Sequence, residues 1–266
     1  MAAVAAFASG STAARAVASG DAAAQALLEK HRAFVGWQFG DGTFHTLRVS
    51  GDVTNEHGKK TVTFVGLYAG LIYNNSTTDL ERGGITERTG FTGNLFWATD
   101  FNGFTTPIYG DYAKYLASYT VLFQEGTTEL PATVRDPKTV DGKPVDVVRV
   151  TIKNGDSIDL YVDPSSGAYV QAVIDPGGAY EATYHILSYQ DALPGKKMIA
   201  SYRLDDEKDV HTIAKFEPNV AVTAEDLHPP GQTASWSFGK GTPFPFTMTH
   251  DRMLVDATVN GVKGRF

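Results

Sequence analysis

The chain has 266 residues, 42% of them hydrophobic, and carries a formal net charge of -7 with an isoelectric point near 5.5. Such an acidic chain offers no basic stripe to neutralise phosphates, which excludes a typical nucleic-acid-binding protein. It contains no cysteine, so disulfides, thiolate catalysis and cysteine-ligated metals are excluded together.

The first 20 residues have the composition of a targeting segment. They are rich in alanine, glycine and serine, and the small-x-small triplet Ala16-Val17-Ala18 resembles a signal-peptide cleavage region, although no positive charge precedes the apolar run. Residues 1–20 are therefore predicted to be either a signal-like segment, which would export a bacterial chain to the periplasm or the exterior, or a disordered tail. No later window approaches the roughly 18 apolar residues of a spanning helix, so no transmembrane segment is predicted.

The pattern of residues 21–36 predicts an amphipathic helix, with Asp21 as its N-cap and Gly36 at its end. The pattern then changes to strands over residues 43–51 and 60–68, which are separated by a turn cluster at 55–58. Leu71 to Tyr73 continues the strand pattern weakly. Residues 91–100 predict an aromatic-rich strand pair closed by Asn102-Gly103.

A second helix is predicted from Asp111 to about Phe123, because its aromatic residues recur at helical spacing. A meander of strands follows, at 145–153, 157–162, 168–174, 180–189, 197–204 and 210–216. Turn signals such as Asn154-Gly155 separate these strands. The pattern predicts a mainly β (α+β) fold, in which roughly ten antiparallel strands form one large curved sheet with two helices over its concave face.

Regular patterns stop in the stretch that follows. It is interrupted by Pro218, Pro229, Pro230, Pro243 and Pro245. A proline-rich stretch without periodicity is typical of a linker, and residues 218–250 are predicted to be one.

Several local patterns in residues 21–217 resemble the LolA/LolB-like proteins of the bacterial envelope. They are the first helix, the aromatic-Thr-Gly-x-x-x-Trp run from Phe91 to Trp97, and the apolar-x-apolar strand at 157–162 followed by Asp163-Pro164-x-x-Gly. The resemblance implies a β half-barrel closed by helices around an apolar cavity. It makes an apolar small molecule or acyl chain the expected ligand.

The end of the chain predicts a hairpin. Residues 254–259 are β-branched and nearly alternating, Asn260-Gly261 is a strong turn signal, and 262–266 begin a return strand. This pattern resembles the lead-in to a retropepsin-like aspartic protease domain, which implies that residues 251–266 are the first strands of such a domain, truncated before its Asp-Thr/Ser-Gly. Neither catalytic tripeptide occurs in this chain, and Asp256 lies upstream of the family's catalytic position. The alternative is that these residues form the last hairpin of a single β domain.

The aromatic residues are the candidate ligand-binding residues, because their rings give a large contact area at low entropic cost. The candidates are Trp37, Phe96, Trp97, Phe101, Tyr112, Tyr115 and Tyr119. Packing in the core is the alternative role for the same side chains.

No catalytic residue, metal site or cofactor is predicted. The seven histidines show no metal-binding spacing, and neither Ser165 nor Ser166 lies in a Gly-x-Ser-x-Gly context. The acidic run from Asp205 to Asp209 lacks the alternating ligands of a calcium loop and is interpreted as a hairpin tip.

Two functions remain open at this point. The first is a non-catalytic N-terminal module of an exported aspartyl protease family protein, which binds an apolar ligand, a peptide or its own protease domain in cis. The second is a stand-alone periplasmic carrier of lipids or lipoproteins, or an envelope-stress sensor, without a protease partner. An enzyme with its own active site is the third and least favoured hypothesis.

Overall fold

An antiparallel sheet of thirteen strands dominates the structure, a computed structural model that describes residues 21–100, 103–123, 130–152, 156–230, 247–249, 252–259 and 261–265. The chain divides into two compact units, Met1–Thr233 and Ala234–Phe266, and the large sheet belongs to the first. Its strands are β1 Thr46–Thr54, β2 Lys60–Ala69, β3 Ile72–Asp79, β4 Ile85–Phe91, β5 Phe96–Thr99, β6 Thr105–Ile108, β7 Ala132–Val140, β8 Lys143–Thr151, β9 Ser157–Val162, β10 Tyr169–Ile174, β11 Ala182–Leu193, β12 Lys196–Leu204 and β13 Val210–Pro218.

Two meanders make up this sheet. The strand order is β6-β5-β4-β3-β2-β1-β13-β12-β11-β10-β9-β8-β7, so each strand lies beside its sequence neighbour except where β1 meets β13. That seam runs from the pair Leu47 and Pro218 to the pair Thr54 and Val210, with a register shift between Ser50 and Gly51. The sheet is curved, and this architecture confirms the predicted fold class.

Helix α1, Ala22–Val35, begins and ends where the sequence predicts. The Asp21 side chain accepts a hydrogen bond from the Ala23 amide at 2.9 Å, and Gly36 ends the helix in the left-handed conformation with φ 79°. The buried side chains follow one stripe, which consists of Ala24, Leu28, His31 and Val35. Because these residues recur at helical spacing, a single face of α1 packs on the sheet.

His31 anchors α1 to β10 and to the turn before that strand. Its ring stacks on Tyr169 with centroids 3.4 Å apart, and its Nδ1 lies 2.8 Å from the carbonyl oxygen of Gly167. The His31 side chain is buried, and this contact satisfies its Nδ1 among apolar neighbours.

Helix α2, Gly110–Phe123, confirms the second predicted helix. It contributes to the same core as α1, because Leu28 of α1 and Leu122 of α2 belong to one buried cluster with inward residues of β8 to β12. The strand members of that cluster include Val148, Leu160, Ala172 and Tyr184, which lie side by side across the sheet. Both helices therefore cover one face, as predicted.

The sheet has more strands than the predicted ten, and the additional ones are polar. β7 was not predicted, because nearly every residue in it is exposed and Pro137 interrupts it. It is an edge strand with a register shift between Arg135 and Lys138, a place where a sheet tolerates proline. β3 and β4 were predicted only in part, because their asparagine, threonine and glutamate residues lack an apolar alternation.

The first part of the predicted linker is structured. Helix α3, Ala224–Leu227, begins at a capping box in which Thr223 and Asp226 bond reciprocally, and it packs against β2 and β3. The Asn74 side chain donates a hydrogen bond to the Asp226 carbonyl at 3.0 Å. The predicted linker thus contains a short capped helix, which leaves almost no periodicity to detect in the sequence.

The second unit contains two short hairpins. One pairs β14 Thr247–Thr249 with β15 Arg252–Leu254, and the other pairs β16 Asp256–Val259 with β17 Val262–Arg265. The second hairpin confirms the strands predicted around the Asn-Gly turn, with Gly261 at φ 82°. Asn260, Asn102 and the predicted turn at Asn154-Gly155 lie outside the described residues.

Candidate ligand cavity

A cavity of about 460 Å³ is bounded by α2, by β1 to β3, by β12 and β13, and by the segment after α1. Its walls are mainly apolar. The apolar and aromatic side chains that line it include Trp37, Phe39, Phe44, Leu47, Val49, Val53, Phe64, Met198, Ile213 and Phe216. A mainly apolar concave site of this volume is in the range that proteins use for small molecules.

The cavity wall follows much of β1. Leu47, Val49 and Val53 of that strand all line it, and the six steps from Leu47 to Val53 extend about 20 Å. The neighbouring positions on β2 and β13, such as Phe64 and Ile213, continue the same wall. An extended apolar chain can therefore lie along this wall.

Trp37 closes one end in a fixed orientation. Its Nε1 donates a hydrogen bond to the Lys197 carbonyl at 2.7 Å, and Phe44 meets it edge-on with ring centroids 4.7 Å apart. The indole thus presents its apolar body to the cavity while its one polar atom is satisfied outside it.

Hydroxyl groups lie deep in the otherwise apolar walls. Burial raises the pKa of Tyr68 to about 12, against the effect of a hydrogen bond from Asn75. Burial also holds the pKa of Tyr119 well above its ordinary value, and its contact with Tyr202 raises it further. These phenols therefore stay neutral at physiological pH, which keeps the interior uncharged.

The opposite end carries charge. Glu207, Asp209 and His211 line the cavity there, and His211 stacks on Tyr202 with ring centroids 4.7 Å apart. Burial lowers the pKa of His211 below its ordinary 6.5, while Asp209 opposes that shift. In the part of the chain that the structure describes, no lysine or arginine pairs with Glu207 or Asp209, so this rim is acidic.

The buried position of His211 predicts acid sensitivity. Because its pKa is lower in the folded state than in the unfolded state, its contribution to stability is complete above about pH 6.5 and is lost as the pH falls through the folded value. His211→Phe keeps a stacked ring, and should flatten the free energy of unfolding between about pH 7 and pH 5, measured by urea titration. His57→Gln, at an exposed histidine, is the control and should retain the wild-type slope. An unchanged slope in His211→Phe would contradict the assignment.

Two of the sequence-predicted ligand-binding residues, Trp37 and Tyr119, line the cavity. Phe96, Trp97, Tyr112 and Tyr115 are not among its lining residues. Phe101 lies outside the described residues. The structure therefore brings together only part of the predicted set.

Trp97 and Phe96 are adjacent on β5, so their side chains point to opposite faces of the sheet. Phe96 pairs with Phe91, and Tyr73 lies beside them on the face that carries Tyr68. Trp97 pairs with Gly90, and a side chain at Gly90 would collide with its ring. Successive strand residues point to opposite faces, so Trp97 lies on the face away from the cavity, where it is buried.

Tyr112 and Tyr115 belong to a separate tyrosine group on α2. Tyr112 lies 5.9 Å from Tyr115 and 5.7 Å from Tyr180, and the Tyr115 and Tyr184 hydroxyls are hydrogen-bonded. Tyr112 and Tyr180 are exposed. The aromatic stripe predicted for α2 thus runs from the surface at Tyr112 to the cavity at Tyr119.

Sequence reasoning missed most of the cavity lining. The inward residues of β1, β2 and β13 were within predicted strands, and their period-two alternation was the signal that could have selected Leu47, Val49, Phe64 and Ile213. Asn75 could not be found this way, because most of β3 was not predicted.

The titratable groups of the described ranges include one buried carboxylate, which is not among the residues that line the cavity. The buried carboxylate of Asp159 is held by Arg149 through two hydrogen bonds of 2.6 and 2.7 Å, a pair that accounts for its burial. Within those ranges, no group of three or more His, Asp or Glu side chains could hold a metal ion. None of the described helices combines the length and the apolar character needed to cross a membrane.

The fold is similar to solved bacterial structures, whereas no protein-family profile and no curated protein matches the sequence. A DUF1329 family protein from Desulfovibrio piger superposes with a TM-score of 0.52 at 11% identity, covering 77% of this chain and 96% of the other. A protein described as an outer membrane lipoprotein-sorting protein domain, from Vibrio parahaemolyticus, gives 0.50 at 11% identity, covering 76% and 95%. A LolA superfamily protein from Nitrosomonas europaea gives 0.49 at 13% identity, covering 77% and 97%.

The first two similarities establish a shared fold at an identity too low to transfer an activity. The large curved sheet with few helices is the architecture that the sequence predicted from its LolA/LolB-like patterns. The chain has the fold of the lipoprotein-sorting and DUF1329 structures.

Proposed function

We propose that this chain is a non-enzymatic carrier of apolar ligands, such as the acyl chain of a lipid or lipoprotein, in the bacterial envelope. The observation that carries the proposal is the cavity of about 460 Å³, which has mainly apolar walls and neutral phenols. Burial of an alkyl chain in such walls is favourable by about 0.8 kcal/mol for each methylene group.

Trp37 and Tyr119 are proposed to contact the ligand. Trp37 is held at one end of the cavity by its bond to Lys197, and Tyr119 faces the strands from α2. Because both positions are fixed by packing, ligand binding requires no rearrangement of these side chains.

An envelope location is supported by two observations of different kind. The alanine-rich residues 1–20 resemble a targeting segment, and one structure of the same fold is described as a lipoprotein-sorting protein domain. In this proposal the protein is exported, has no catalytic function and shields the acyl chain of its ligand from water.

Binding of a fluorescent apolar probe, together with analysis of lipids that copurify with the protein, tests the proposal. The purified chain should bind the probe with enhanced emission, and lipids extracted from the protein by organic solvent should contain alkyl chains detectable by mass spectrometry. A probe that fails to bind, together with extracts free of alkyl chains, would refute the carrier function.

The alternative, an N-terminal module of an aspartyl protease family protein, remains a prediction. It rests on the hairpin at residues 256–265 and its retropepsin-like pattern. The protease parentage finds no support in the structures named above, so the stand-alone carrier is the better-supported function. A proteolytic assay of the full-length gene product would test the alternative.

A further inference from the structure

Among the side chains that the structure describes, one that lines the cavity carries a buried acceptor without a hydrogen bond. Asn75 lines the cavity from β3, and its Oδ1 is buried and has no partner. A buried unpaired carbonyl is costly, so native structures usually satisfy such groups. An acceptor of this kind, facing a cavity that holds a ligand, indicates that the ligand itself brings the donor.

The Tyr68 hydroxyl lies beside this acceptor. Both groups converge over Gly66, where an added Cβ would lie 2.6 Å from Asn75 Oδ1 and 2.9 Å from the Tyr68 oxygen. Asn75 is paired with Gly66 across β2 and β3, so the absent side chain leaves the space that the two polar groups occupy. The backbone of Gly66 is not left-handed, and space is therefore the reason for a glycine there.

A ligand hydroxyl matches this pair of groups. It can donate its proton to Asn75 Oδ1 and accept the proton of the Tyr68 hydroxyl, which remains available when that oxygen accepts from Asn75. A carboxylate, an ester or a ketone has no proton to donate. An ammonium group has no lone pair to offer and would carry its charge into apolar walls, where it is costly.

We propose that the cavity selects apolar molecules that carry a hydroxyl group, which binds between Asn75 Oδ1 and the Tyr68 hydroxyl. The inference rests on the proposed carrier function and narrows its ligand class. A fatty acid anion is also disfavoured there, because its carboxylate would carry a negative charge among the mainly apolar walls, where an unpaired charge is costly.

The test compares a long-chain primary alcohol with the hydrocarbon and the carboxylate of the same chain length, each by displacement of the apolar probe. Asn75→Leu removes the acceptor and keeps a side chain of similar size. Relative to the wild type, it should reduce the preference for the alcohol over the hydrocarbon about tenfold, the size expected for one buried hydrogen bond. Because the same two ligands are compared in the variant and in the wild type, differences in their solubility cancel in the change of preference.

Asn74→Leu is the matched control. Asn74 is the adjacent asparagine on β3, but it faces away from the cavity and donates to Asp226, so its loss should leave the preference unchanged. Tyr68→Phe provides a second variant that preserves the ring and removes the hydroxyl. It should also reduce the preference for the alcohol.

The outcomes separate the inference from the function on which it rests. Equal effects of Asn75→Leu and Asn74→Leu, or a carboxylate that binds more tightly than the alcohol, would overturn the hydroxyl selection while leaving an apolar carrier in place. Failure of all three ligands to displace the probe would overturn both.

Discussion

Replacing Val49 with tryptophan is expected to weaken binding of an apolar ligand by at least about a hundredfold. Val49 is buried at the middle of the cavity wall, between Leu47 and Val53 on β1. An indole at this position projects into the free volume and occupies the space of several methylene groups. The cavity is large enough to accept the ring, so we expect the variant to fold and to lose binding specifically.

Arg48→Trp is the control for this prediction. Arg48 precedes Val49, lies on the opposite face of β1 and is exposed, 4.0 Å from Glu217. The same substitution there adds an indole without filling the cavity, and affinity for the probe should stay near that of the wild type. Similar affinities for Val49→Trp and the wild type would show that the ligand binds elsewhere.

The largest effect on stability is expected from Gly51→Ala. Gly51 lies at the register shift in the seam between β1 and β13, and a Cβ there would lie 2.0 Å from the Thr212 carbonyl oxygen and 2.5 Å from the Phe64 ring. The carbonyl belongs to the backbone of β13 and cannot move without breaking the seam. We expect the free energy of unfolding to fall by about 3 kcal/mol, the range of a steric clash in a packed core.

Urea titration of Gly51→Ala and Gly58→Ala provides the measurement and its control. Gly58 has φ 75° in the turn between β1 and β2, and no atom lies within 4 Å of its Cβ direction. Alanine there introduces only backbone strain, about 1 kcal/mol. If Gly51→Ala costs no more than Gly58→Ala, the seam is looser than the structure indicates.

The helices and the apolar strands could be predicted from the sequence because their signals are local. α1 has a capping aspartate, a 3.6-residue stripe and a glycine at its end, and β9 has the predicted bounds Ser157–Val162. β7 has none of these signals. It is an exposed edge strand with an internal proline, and its pairing with β8 decides its structure.

The candidate site was less accessible to prediction, because it depends on pairing between distant strands. Trp37 and Tyr119 were identified as aromatics, yet the same criterion selected Trp97, which β5 turns to the other face. Tyr68 and Asn75 meet only through the register of β2 and β3. Selecting residues because they are aromatic gives no information on strand register. The alternation of apolar residues in paired strands does give such information.

The pairing of β1 with β13 also constrains the order in which the strands can assemble during synthesis. The ribosome synthesises β1 early and β13 only after every other strand of the large sheet, so β1 can pair with β2 long before it can pair with β13. A nascent chain that ends before Lys196 lacks the cavity wall formed by β12 and β13. We therefore expect a ligand of the cavity to bind only after both strands have joined the sheet, and not to act as a template for the early strands.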